Sequence, residues 1–458
     1  MPDANALHDR IASNADRDLN DLLNLLRIPS VSTDPSRTSA MRETVDYLSR
    51  DLQAAGFQTS VWETGGHPAL FAERTIDASK PTVLVYGHYD VQPADPLELW
   101  DSDPFDPQIV DGRIVARGAS DDKGQVYAHV KAVLALHEAT GTLPCNVKFL
   151  IEGEEEIGSP NLGATVEAHG KDLQSDVVLI SDGAMLPGPT PTLTYGLRGL
   201  AYLEVRVTTA DRDLHSGAYG GAAPNPIQAL AEMIAGLKDD QGRITVPGFY
   251  DHVRELGDDE RTQLERVPFD ADAFQNDAGL TATPGEPGYS VLERLWARPT
   301  LDVNGIGGGF QGEGSKTVIP SSAFAKISCR LVPDQDPAAI ANALEAHLKR
   351  VAPHNANVEV LQHAHGRWAL SPLDGDGMTA ATQAIRAVDG VDPVYVRTGG
   401  SIPVVADFQR LLGSDVVLLD MGLESDRIHS PNETFDVALY HRGIRVSAEF
   451  FRAIGQGG

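Results

Sequence analysis

Four short runs of almost unbroken apolar residues constrain this chain more than anything else in it: TVLVYG (82–87), VKFLIEG (147–153), DVVLIS (176–181) and DVVLLDMG (415–422). A strand with one wet face alternates apolar and polar residues. A strand that is apolar on both faces must be covered on both, as in a parallel sheet flanked by helices. The surrounding segments supply the helices, with apolar residues at helical spacing over 16–28, 38–55, about Asp122 to Glu138, 161–169, 377–388 and 437–454. The pattern predicts an α/β fold with a mostly parallel sheet.

After TYGLRG (194–199) the texture changes. AYLEVRVTT (201–209) and FAKISCRLV (324–332) alternate apolar and polar residues, as half-exposed antiparallel strands do. Between and after them come a Gly-rich loop (215–223), a helix opening at Asn225-Pro226, an acidic stretch rich in Asp and Pro, a helix near 336–350 and the strand NVEVLQHAH (357–365). The first texture resumes near Pro372. The expected layout is a discontinuous catalytic domain, 1–198 and 371–458, with an α+β domain inserted at 199–370.

With 458 residues, the chain is too long for a single hydrophobic core. A formal net charge of −28 argues against nucleic acid and anionic membrane surfaces as partners. No apolar stretch reaches the roughly 18 residues of a spanning helix, and the first thirty residues carry Asp3, Asp9, Asp16, Asp18 and Asp21 rather than an apolar leader, so the expected location is cytoplasmic. For the same reason Asn432-Glu433-Thr434, which fits the glycosylation pattern, is read as accidental. The only cysteines, Cys145 and Cys329, form neither a disulfide framework nor a Cys-rich zinc module. Any metal must be held by His, Asp and Glu.

Such residues stand where the apolar runs give out: His88, Asp121, Glu156, Asp182 and His429. In an open α/β sheet the carboxyl ends of the strands form the ligand-binding rim. A pair of divalent ions about 3.5–4 Å apart needs a bridging carboxylate, further carboxylates and imidazoles, and one bridging water. Asp121 opens a helix and suits the bridge, His88 and Asp182 would complete one ion, and Glu156 and His429 the other. Three carboxylates and one bridging hydroxide balance two divalent ions. Asp90, two residues beyond His88 in extended chain, faces the same side and is placed to orient that imidazole. Glu155 precedes Glu156 and would serve as general base, then general acid. Singly, each residue reads as an ordinary cap, turn or loop residue; their joint placement after strands is what points to a metal site.

The strings GHYDVQP (87–93), ARGASDDKG (116–124), EGEEEIGS (152–159) and ISDG (180–183) resemble the dinuclear zinc metallopeptidases that include carnosinase, cytosolic nonspecific dipeptidase, glutamate carboxypeptidase and acetylornithine deacetylase. The resemblance spans nearly the whole chain and implies the same seven roles. It also implies a cis Asp121-Asp122 peptide. DLHSG (213–217), ARPTLDVNGI (297–306), GSKTVIP (314–320), CRLVP (329–333) and RTGGSIP (397–403) resemble the dipeptidase branch. That likeness implies a lid and dimerisation domain, a homodimer in which His215 reaches the partner's site to polarise the scissile carbonyl, and Arg330 holding the substrate carboxylate with Thr317, Gly400 and Ser401 nearby.

The expected activity is metal-dependent hydrolysis of dipeptides or very short peptides, with two Zn2+ ions, or Mn2+ or Co2+ in their place, since oxygen and imidazole ligands admit all three. The alternatives are an N-acyl amino acid amidohydrolase of the same fold and, more remotely, a noncatalytic peptide-binding protein.

Overall fold

The computed structural model describes residues 4–188, 190–400 and 403–457. The chain divides into two compact units, one comprising 1–195, 371–396 and 404–458, the other 196–370 and 397–403. No helix among the described residues is long and apolar enough to cross a membrane.

The first unit is built on a mixed sheet whose centre is parallel. Its strands run Gln58–Trp62, Ala69–Arg74, Asn146–Glu152, Thr82–His88, Val177–Ile180, Asp415–Leu419 and Thr192–Leu197. The four strands from Asn146–Glu152 to Asp415–Leu419 are mutually parallel, and their neighbours on either side are antiparallel. These four correspond to the four apolar runs. Helix Lys123–Thr140 is buried along its whole first half and packs against helices Ala4–Leu26, Thr38–Ala54 and Val437–Gln456. It ends at Gly141, whose φ of 73° is the left-handed conformation that a helix C-terminus often uses. Helix Val437–Gln456 starts on Asp436, whose carboxylate accepts from the amides of Ala438 and Leu439.

Register places the rim. Tyr86 is level with Leu150 on one side and Ile180 on the other, and Ile180 with Leu418. Two residues further on, in the same order, come His88, Glu152, Asp182 and Asp420. Parallel strands bring all four to one edge of the sheet.

The second unit is an antiparallel sheet in the order Thr300–Gly308, Ser322–Leu331, Gly199–Thr208, Asn357–Gly366. One face is covered by helices Pro226–Ala235 and Pro337–Val351 over Leu203, Val205, Val207, Ile327 and Leu331. Asn225 caps the first helix through its side-chain oxygen, 2.9 Å from the Ile227 amide, with Pro226 at the first turn. Within the acidic stretch the chain forms short helices, Asp258–Glu265 and Ala271–Asp277. Cys145 and Cys329 are both free and buried.

Candidate metal centre

Asp121 is the hinge of the site. Its Oδ1 lies 3.1 Å from His88 Nε2 and its Oδ2 lies 2.8 Å from His429 Nε2. Around it two groups could each hold an ion: His88 with Asp121 and Asp182, and Asp121 with Glu156 and His429. The Asp182 carboxylate stands 3.9 Å from His88 Nε2, and Glu156 Oε2 stands 3.1 Å from His429 Nε2. The structure thus brings all five expected ligands together, with Asp121 shared. The Asp121-Asp122 peptide is cis.

The two groups differ in depth. The His88 side chain is 1% exposed and that of His429 52%. The group around His88 is enclosed, and the group around His429 opens to solvent.

Two of the expected ligands, His88 and Glu156, are oriented by their neighbours. His88 turns Nδ1 toward Asp90, 3.1 Å from its carbonyl and 3.4 Å from Oδ1, which leaves Nε2 facing the carboxylates. The two Asp90 carboxylate oxygens accept the backbone amides of Glu155 and Glu156, each at 3.2 Å. One buried carboxylate therefore fixes both an imidazole and the turn carrying the two glutamates. Gln92 holds Glu156, donating from its amide nitrogen to Oε1 at 3.1 Å and from Nε2 to Oε2 at 2.8 Å. Asp122 accepts the His88 amide at 3.1 Å.

The field of the cluster is strongly attractive to cations. Hydrogen bonds to Asp121 and Glu156 push His429 up to about 10. Burial opposes charge on His88, yet Asp121, Asp182 and Asp90 hold it well above its ordinary value. Asp121 is itself buried, but the two imidazoles keep it well below the usual carboxylate range. Burial raises Asp182 and lifts Glu155 to about 8, with the carboxylates of Asp182, Asp121 and Glu156 adding to the lift for Glu155. Glu155 is thus within electrostatic reach of both groups.

These residues fit a pair of divalent ions. Buried His88 Nε2 has no well-aligned hydrogen-bond partner among the described residues and faces carboxylate oxygens. An orphaned buried imidazole nitrogen in an acidic pocket suits a cation.

The remaining expected residues belong to the second unit. His215 ends the short strand Leu214–His215, paired with Val318, and its Nδ1 accepts the Gly217 amide at 3.0 Å. The Thr317 carbonyl accepts the Ser216 amide at 3.1 Å, so His215 and Thr317 are near neighbours in the fold. Arg330 lies in strand Ser322–Leu331 between Leu200 and Thr300 on the adjacent strands. The Gly400 amide donates to Thr398 Oγ1, and the Gly400 carbonyl accepts the Arg198 amide. Ser401 lies outside the described residues.

Sequence reasoning passed over several groups that build the site. Glu152, pushed up to about 7 by burial, accepts from the Tyr86 and Ser159 hydroxyls. Asp420 accepts from Thr194 at 2.7 Å. Both were visible as acids ending apolar runs. Asp122 was read only as the start of a helix, and Gln92 and Glu433 carried no signal of type or period.

An α/β rim with two imidazole-carboxylate groups sharing one aspartate is the architecture of a metallohydrolase. The chain belongs to peptidase family M20/M25/M40, whose model matches residues 84–453. It is 36% identical over 395 residues to the human Beta-Ala-His dipeptidase, covering 85% of this chain and 78% of that protein. It is 32% identical over 453 residues to the Cys-Gly metallodipeptidase of Saccharomyces cerevisiae, covering 94% of each. Among solved structures, an M20 family metallo-carboxypeptidase from Sulfolobus solfataricus superposes with a TM-score of 0.83 at 33% identity, over 96% of this chain and 99% of that one.

Proposed function

We propose that the chain is a dinuclear metallodipeptidase that hydrolyses dipeptides or very short peptides. The observation that carries the reading is Asp121 standing between two three-residue groups, within 3.1 Å of one imidazole and 2.8 Å of the other. His88, Asp121 and Asp182 would hold one ion and Asp121, Glu156 and His429 the other; zinc is the ion we favour, with manganese or cobalt also compatible with these ligands.

When bound, two such ions polarise the scissile carbonyl and lower the pKa of water toward neutrality. The chain's own groups do the rest. Glu155, held by the Asp90-anchored turn, accepts the proton of the attacking water and returns it to the leaving amine. Asp90 keeps the His88 ring turned so that Nε2 faces the pocket. By resemblance to the dipeptidases, Arg330 pairs with the substrate carboxylate, near Thr317, Gly400 and Ser401, and His215 stabilises the developing oxyanion.

The same resemblance supports a lid role for the inserted unit and a homodimer. The strand Thr300–Gly308 is a sheet edge bearing exposed Val303 and Ile306, with Phe324 on the neighbouring strand. An apolar sheet edge of this kind asks to be covered. We place the enzyme in the cytoplasm, with no nucleic-acid or membrane partner.

The test is to strip the protein of metal, restore Zn2+ or Mn2+, and assay free amino acid release from dipeptides, longer peptides and N-acetyl amino acids. Metal-restored cleavage of dipeptides is the expected result. Cleavage of N-acetyl substrates alone would move the reaction to deacylation, and C-terminal trimming of long peptides alone to a carboxypeptidase. In the same assay Glu155→Ala is expected to keep both ions and lose about 10²–10⁴-fold in turnover; undiminished turnover would remove Glu155 from its role.

A further inference from the structure

One buried carboxylate joins the loop that carries Asp121 to the loop that carries His429. Glu433 is fully buried. Its Oε1 accepts the amides of Ser120 at 2.9 Å and Asp121 at 3.0 Å, and its Oε2 accepts the Gly118 amide at 2.9 Å and Arg117 Nη1 at 2.7 Å. An ionised carboxylate has about four acceptor positions, and all four are used. The Glu433 carbonyl accepts the Ala116 amide as well.

The other end of the His429 segment is tied in the same way. Asp426, also fully buried, accepts from the Ser120 hydroxyl at 3.1 Å and pairs with Arg113. Next to Glu433, Asn432 bonds both ways, accepting the Asp101 amide at 2.8 Å and donating to the Leu99 carbonyl at 3.0 Å. Between these ties Arg427, His429 and Asn432 all have φ between 56° and 60°. Left-handed backbone at residues other than glycine persists only where the surroundings over-determine it. Here the surroundings are the 113–121 segment and, at Asn432, Leu99 and Asp101.

We propose that Glu433 is a positioning residue that sets Asp121 at the correct distance from His429, and so defines the exposed ion position. The inference rests on the two-ion reading above. A buried ion pair that merely supported the fold would spend its bonds on Arg117. Three of the four bonds to the Glu433 side chain instead come from main-chain amides of the loop, one of them that of Asp121 itself, and only the fourth is from Arg117. Of the buried group, His88 and Asp182 sit at or just beyond the ends of sheet strands and do not depend on this tie; only Asp121 does.

Glu433→Gln keeps the size and turns an NH2 group toward donors, which breaks the grip. Metal-free wild type, Glu433→Gln and the double variant Arg117→Met/Glu433→Gln, which removes the stranded guanidinium, would each be titrated with Zn2+ by calorimetry and with Co2+ by visible absorption. Far-UV dichroism would verify the fold. The wild type is expected to bind two ions. The variants are expected to bind the ion of the exposed group about 10–100-fold more weakly, with an altered Co2+ spectrum for it, and the ion of the buried group with a smaller loss, since that group shares Asp121 but keeps His88 and Asp182 in place. A folded variant binding both ions with wild-type affinity would overturn the proposal. So would variants that stay unfolded across the metal range, since Glu433 would then serve stability. A wild type that binds fewer than two ions would instead sink the site reading on which this one stands.

Discussion

Asp121 and His429 make different demands of the same site, and stoichiometry separates them. Asp121 belongs to both ligand groups, His429 to one. Asp121→Ala is therefore expected to abolish tight binding of both ions, whereas His429→Ala should leave one, that held by His88 and Asp182. Metal content after dialysis, measured by atomic absorption, checks this; two ions retained in Asp121→Ala would refute the bridge. At this scale the sequence was informative wherever a residue type meets a strand end. His88, Asp182, Glu156 and His429 could be selected because each follows an apolar run, and Asp121 because it opens a helix. Glu433, eleven residues beyond the last apolar run, could not. Its importance lies in backbone amides from residues 118–121, and no sequence pattern records which carboxylate will meet them.

Helix Lys123–Thr140 illustrates what an element can hide. His129 in its buried half is fully enclosed, bonded through Nδ1 to the Ser447 hydroxyl at 2.7 Å and through Nε2 to the Ser181 hydroxyl at 2.9 Å. It links helix Val437–Gln456 to the residue before Asp182. Burial pushes its pKa down to about 3. Folding therefore keeps the ring neutral while the unfolded chain charges it below about 6.5. This contribution to stability is complete above pH 6.5 and is lost as pH falls from there toward 3, by about 1.4 kcal/mol per unit. Between pH 6.5 and 5, His129→Gln, which removes the titrating ring, is expected to lose about 2 kcal/mol less stability than the wild type in urea titrations. Equal losses would mean the ring is not the acid-sensitive group. Among elements, the uniformly apolar strands and most of the long amphipathic helices were legible from period alone, although the first helix begins at Ala4, twelve residues before the span expected at 16–28. Thr300–Gly308 was not, because Asn304, Gly305, Gly307 and Gly308 erase its alternation, and the strand is held by register with Ser322–Leu331. Helix Pro403–Leu412 and strand Val394–Thr398 were also passed over, being short and crowded against Gly-rich turns.

For the whole molecule, the change from uniform to alternating strands marked a second folding unit in the sequence. It could not show that the chain enters that unit twice, the second time over 397–403. A segment of that length carries no period of its own, and its membership is decided by what it touches. If the enzyme is a homodimer in which His215 serves the partner's site, mixing His215→Ala with Glu155→Ala should restore activity to two inactive preparations. A mixed dimer would hold one intact site, up to about a quarter of the wild-type activity after random exchange. No recovery after verified subunit exchange would place His215 in its own subunit's site or outside the chemistry.

The order of strands in the central sheet has a consequence for how the protein is made. Strand Asp415–Leu419 pairs with Val177–Ile180 on one side and Thr192–Leu197 on the other, yet more than two hundred residues separate it from them in the chain. At about 5–20 residues per second, a ribosome needs roughly 10–50 s to deliver it. For that interval the strand Val177–Ile180 keeps a bare, wholly apolar edge, the kind that recruits other chains. The emerging polypeptide would benefit from a chaperone for that period, and the central sheet can close only once residues 415–419 have been made.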